Sequence, residues 1–142
     1  RNDYTAILDD EFFKNHKTSQ YHYRYEKGVE SFFKDNQDKL KNRKILSLSR
    51  IEYLYAKYNI VPPSGLPLWW HLGTSYREVS SDNIIEIIKN DVDYIIGLSY
   101  DGKPDPGLMA NDKIYNTIND GTYFNKSFNY EGIVILMNKK IN

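Results

Sequence analysis

Asp101, Asp105 and Asp112 flank a loop that follows the apolar stretch Val92-Asp93-Tyr94-Ile95-Ile96-Gly97-Leu98. Open α/β sheets bind ligands beyond the carboxyl ends of their strands, and two or three carboxylates there can grip a cation or share acid–base work. The commoner use is turn chemistry, because Asp101-Gly102 and Asp105-Pro106-Gly107 call for Asp to bond its own backbone. The later acceptors and terminal Glu of an EF-hand loop are missing after Asp101. His71 follows Trp69 and Trp70 and offers a general base or a ligand contact. Its ordinary role would be a backbone hydrogen bond beside a loop. The two indoles offer flat apolar faces to a sugar or a lipid headgroup. On a strand, neighbouring side chains point to opposite faces, so one Trp would enter the core and the other face outward. Trp69, Trp70, His71, Asp101 and Asp105 are therefore the candidate ligand contacts. No residue is assigned a catalytic role. His16 and His22 lack a zinc-ligand spacing, and neither a metal nor a cofactor is expected.

Several chemistries are closed to this chain. It has no cysteine, which removes disulfides, thiolate catalysis and Cys-based zinc sites. Nineteen basic residues balance nineteen acidic ones, so the basic surplus usual in nucleic-acid binders is absent and no nucleic-acid partner is expected. Lys39, Lys41, Arg43 and Lys44 form a short basic run, a combination that suits a solvated helix C-terminus. Leu48-Ser49-Arg50-Ile51-Glu52 carries no glycine, so the first strand-to-helix turn has neither a dinucleotide fingerprint nor a phosphate loop. No Gly-x-Ser-x-Gly elbow occurs. No apolar run approaches the roughly 20 residues that span a bilayer. The chain opens on Arg1 rather than Met, which leads us to expect a piece of a longer protein.

The elements that would position these residues follow from periodicity. Ile7, Leu8, Phe12 and Phe13 suggest a short helix near the start. Tyr25, Val29, Phe32, Phe33 and Leu40 recur at helical spacing and predict a helix over about 23–41, weakened by Gly28. Lys44 to Ser49 reads as a buried strand. A helix carrying Ile51, Leu54, Tyr55 and Tyr58 follows and stops at Asn59. Pro62, Pro63 and Pro67 then hold the chain extended up to a possible strand at 68–71. Ser80-Ser81-Asp82 caps a helix with Ile84, Ile85, Ile87 and Ile88 inward. The strand over 92–98 is apolar at consecutive positions, as a central strand is. A helix over 110–120 and a two-strand finish, with a bend at Asn129 or Gly132, complete the chain. This order predicts one α/β domain over 1–142, with a helical segment over 1–43 and an α/β core over 44–142. The sheet is expected to be small, open and mostly parallel, with helices on both faces and a C-terminal antiparallel strand pair.

Three segments in this order resemble a known tail domain: Lys44-Ile45-Leu46-Ser47-Leu48 with Ile51-Glu52-Tyr53-Leu54-Tyr55, then Pro62-Pro63-Ser64-Gly65-Leu66-Pro67, then Asp91-Val92-Asp93-Tyr94-Ile95-Ile96. They look like the C-terminal extracytoplasmic domain of bacterial multi-pass glycosyltransferases that use polyprenyl-phosphate sugars, related to protein mannosyltransferases and aminoarabinose transferases. In those proteins the catalytic carboxylate lies near the first membrane helices, so the resemblance places no catalytic residue on this chain. It implies a non-catalytic accessory domain on the extracytoplasmic face of a bacterial membrane, partnered by its own transmembrane region and touching the acceptor or the lipid-linked sugar.

Two other readings start from the residues themselves. One is a free-standing enzyme on a sugar or phosphate ester that uses Asp101, Asp105 and His71. The other is an interaction module built on the 13 tyrosines, whose rings give large contact area at low entropy cost.

Overall fold

The structure, a computed structural model, describes residues 6–7, 17–48, 53–67, 70, 72–98, 111–130 and 133–141. Two short strands, β1 (Ala6–Ile7) and β2 (Lys17–Thr18), pair antiparallel. Ile7 is thus in a strand rather than in the short helix that its apolar neighbours suggest. Leu8, Phe12 and Phe13 lie outside the described residues.

Helix α1 (Gln20–Asp35) buries Tyr25, Val29, Phe32 and Phe33, a stripe at helical spacing. It ends earlier than the periodicity predicts because Asn36 leaves helical geometry, at φ −124°. The buried Asn36 amide donates to Phe32 O at 2.8 Å and to the Tyr130 hydroxyl at 3.1 Å. A short turn, α2 (Gln37–Leu40), follows and is closed by Asn42 in the left-handed region, at φ 61°. Next come β3 (Ile45–Ser47) and α3 (Tyr53–Lys57), which stops at Asn59, also left-handed at φ 51°. Gly65 turns the proline segment at φ +81°, where a Cβ would come within 3.0 Å of Ile87 Cδ1, so this bend both needs positive φ and packs close. A single 3-10 turn (Glu78–Ser80) leads into α4 (Ser81–Asp91). Strand β4 (Tyr94–Leu98), helix α5 (Asp112–Asn119), β5 (Phe124–Tyr130) and β6 (Ile133–Asn138) complete the order.

The fold is α/β, but its four-stranded sheet is mixed rather than mostly parallel. The strand order is β3-β4-β6-β5, with β3–β4 parallel and both β4–β6 and β6–β5 antiparallel. Of the strand expected at 68–71, Trp70 is not in a strand, and Leu68, Trp69 and His71 lie outside the described residues. Strand β6 folds back from β5 into the sheet interior and takes the place beside β4. The expected C-terminal antiparallel pair is present, with a register irregularity between Lys126 and Phe128; Asn129 pairs with Val134, and Gly132 lies outside the described residues.

Alternation along the strands explains why β4 is apolar throughout. Leu46, Ile95 and Leu136 face a core formed with Ile84 and Ile88 of α4 and Ile114 and Ile118 of α5. Ile45, Tyr94, Ile96 and Ile135 face the other way, onto Tyr25, Val29 and Phe32 of α1. Each fully buried Ile or Leu contributes about 1.5–3 kcal/mol through removal from water. Helices therefore cover both faces. The outer edge of β3 is partly closed by a side chain, since Ser47 N donates to the Tyr55 hydroxyl at 2.9 Å.

Candidate functional site

A groove of about 1040 Å³ lies between the end of α1, the α2 turn and the segment after α3. Its floor is apolar and aromatic. Phe33 and Tyr58 stack face to face, with centroids 4.2 Å apart and planes 7° from parallel. Leu40, Ile60 and Pro63 extend this surface, and Val61 projects at its edge, 80% exposed. The backbone fixes the outer wall: Ile60 N donates to Tyr55 O at 2.9 Å, so the chain leaves α3 in a set direction before the prolines hold it extended.

The rim carries Lys34, Lys41, Arg43 and Lys44 against Glu30 and Asp38. Arg43 lies 3.9 Å from Asp93, and Lys44 lies 4.0 Å from Asp91. Lys34 and Lys41 have no carboxylate partner among the described residues. Glu30 is engaged by Lys27 at 3.4 Å. The rim is thus net cationic above an aromatic floor. Such a surface can hold an anionic group at one end and an apolar body along the other.

Sequence patterns foreshadow parts of this groove. The basic run 39–44 reads as a helix end, yet it divides: Lys41, Arg43 and Lys44 turn to the groove, while Lys39 sits over the Phe128 ring, 6.0 Å from its centroid. The prolines mark the outer wall. Phe33, Lys34 and Tyr58 go unflagged, because at helical spacing an aromatic residue reads as core, and only the tertiary fold sets Phe33 against Tyr58.

At the carboxyl end of the parallel strands a different cluster assembles. Helices α4 and α5 both begin here and are tied together. The Asn111 amide donates to Ser81 Oγ at 2.7 Å, Ser81 Oγ donates to Glu78 O at 2.6 Å, and Asn111 Oδ1 caps α5 by accepting from Ile114 N at 3.2 Å. Trp70 is only 1% exposed and packs edge-on against Tyr76, with centroids 5.7 Å apart. Its indole N–H and the Tyr76 hydroxyl are buried without a hydrogen-bond partner among the described residues. Burial pushes the Tyr76 phenol above its ordinary value, and the Asn111 amide beside it offsets part of that shift.

Of the sequence candidates, Trp70 is in the core, and Asp112 is an exposed first-turn residue of α5 where the helix dipole favours it. Trp69, His71, Asp101 and Asp105 lie outside the described residues. Tyr25, Tyr55, Tyr76 and Tyr94 are buried, and Tyr23, Tyr58, Tyr115, Tyr123 and Tyr130 are half-buried, so no described tyrosine side chain stands free as an exposed contact. Among the described residues no three His, Asp or Glu side chains converge as a metal site, and no helix is long and apolar enough to cross a membrane. No family model matches this chain, and neither a curated protein nor a solved structure matches it.

Proposed function

We propose that this chain is a non-catalytic binding domain whose groove receives an amphipathic anion, and that the ligand is a polyprenyl-phosphate sugar. On this reading it is an accessory domain, on the extracytoplasmic side of a bacterial membrane, of a glycosyltransferase-like protein that supplies its own transmembrane region. The observation that carries the reading is the pairing of the stacked Phe33–Tyr58 floor with Lys34 and Lys41 at the rim, neither of which has a carboxylate partner among the described residues. The prenyl part would lie along Phe33, Tyr58 and Ile60, where burying apolar surface stabilises the complex by about 25 cal/mol per Å². The phosphate would sit among the rim cations. The resemblance of the 44–48, 62–67 and 91–96 segments to the tails of such enzymes supports the membrane context.

Photo-crosslinking tests the reading. A polyprenyl phosphate probe should label peptides from 30–44 and 58–64, and an excess of unlabelled ligand should compete. Labelling spread over the surface, or confined elsewhere, would contradict it.

A further inference from the structure

A second cleft, of about 360 Å³, lies along α1 and faces the side chain of Tyr130. Its volume falls at the lower end of the range for small-molecule sites, about 300–1,000 Å³. Gly28 forms part of its lining. A glycine inside a helix costs about 1 kcal/mol relative to Ala. Gly28 lies on the same helix face as Arg24 and Ser31, four and three residues away, and brings no side chain to the lining there.

The Tyr130 ring is held in place before any ligand arrives. Its hydroxyl donates to Asp35 Oδ2 at 3.0 Å and accepts from the Asn36 amide at 3.1 Å, so the phenol is pinned and the ring is left as a platform. Arg24, Lys27, Gln20 and Ser31 line the cleft with it. Lys27 is itself positioned, 3.4 Å from Glu30 and 5.7 Å from the centre of the Tyr23 ring. The lining contains two cations and no carboxylate. A guanidinium with five donors retains capacity for a ligand oxyanion beyond any one partner.

We infer that this cleft is a site for a small anionic sugar, a pyranose bearing one carboxylate or phosphate. The sugar ring would lie on Tyr130, its hydroxyls would meet Gln20 and Ser31, and its anionic group would face Arg24 and Lys27. The inference does not rest on the groove's ligand: no residue lining the cleft lines the groove, and only Glu30, which holds Lys27, borders both.

The test is calorimetric titration of the purified chain with glucuronate, a hexose phosphate, the neutral hexose, inorganic phosphate and a nucleoside monophosphate. One or both anionic sugars should bind at least about tenfold more tightly than the neutral hexose and inorganic phosphate, and which of the two does so identifies the anionic group. Gly28→Ala should abolish that binding while the melting temperature holds or rises. Should Gly28→Ala fail to fold, Arg24→Gln decides, with a loss of about tenfold or more expected. Three results would overturn the inference: no binding at millimolar ligand, equal binding of inorganic phosphate or the nucleotide, or unchanged affinity in the folded variants. A failure here leaves crosslinking in the groove unaffected, so the two claims are separable.

Discussion

Tyr58 lies flat on Phe33, 4.2 Å away with ring planes 7° apart, and this contact joins the segment after α3 to helix α1. The two rings are floor and fastening at once. Phe33 belongs to the core beneath α1, and Tyr58 packs against that core from the outside. An aromatic pair of this kind adds about 0.5–1.5 kcal/mol beyond area burial. A double-mutant cycle with Phe33→Leu and Tyr58→Leu, read by urea unfolding, should return a coupling energy of about 1 kcal/mol. Additive single changes would show that the stack does not hold the groove together.

Glu26 of α1 and Lys57 of α3 form an ion pair at 3.4 Å, with only 3% and 13% of their side chains exposed. Removing one partner takes the close counter-charge away from the other in a nearly buried setting. Lys57→Met should destabilise the fold by about 3–5 kcal/mol, whereas the double change Glu26→Leu with Lys57→Met should recover most of that loss. Chemical denaturation of the two variants measures the difference.

Tyr76 carries a buried hydroxyl that the Asn111 amide approaches without completing a hydrogen bond of good geometry. A buried polar group left unmatched costs about 1–3 kcal/mol, so deleting it removes a cost rather than a contact. Tyr76→Phe should be neutral or stabilising by about 1 kcal/mol in urea unfolding. A clear destabilisation would mean that the hydroxyl is satisfied after all.

Burial raises the phenols of Tyr76 and Tyr130 above the ordinary value of 10.0. For Tyr130, Asp35 pushes the same way and the Asn36 amide opposes. Below pH 10 both phenols are neutral in the folded and unfolded chain, and their full contribution to stability is present. As pH climbs above about 10 the unfolded phenols ionise first, and stability fades until the folded values are passed. Stability measured from pH 8 to 11 should therefore fall above pH 10, and Tyr76→Phe with Tyr130→Phe should flatten the fall.

The α/β alternation was legible because it rests on local signals: the stripe Tyr25, Val29, Phe32, the apolar face Ile84, Ile88, and the doubly apolar strand around Ile95; the expected cap at Ser80 does not form, since Ser80 ends a 3-10 turn and its side chain makes no cap bond. The sheet direction was not legible. Nothing in Ile133-Val134-Ile135-Leu136 says that the strand inserts beside β4 rather than standing at an edge, because pairing partners are chosen by tertiary packing. The same limit applies to the site. The sequence says only that one of Trp69 and Trp70 enters the core, and the environment of Trp70 puts it there. Phe33 and Tyr58 lie far apart in sequence, and only the docking of the end of α3 onto the core under α1 brings their rings together.

The most direct test of the groove is calorimetric titration with a short polyprenyl phosphate, held below its aggregation threshold, alongside the matching polyprenol. The phosphate should bind, and the uncharged alcohol should bind about tenfold or more weakly. Lys34→Glu with Lys41→Glu should erase that preference, and Tyr58→Ala should weaken both ligands. Equal binding of phosphate and alcohol, or full affinity retained in the Lys34→Glu, Lys41→Glu variant, would contradict the assignment of the groove to an amphipathic anion.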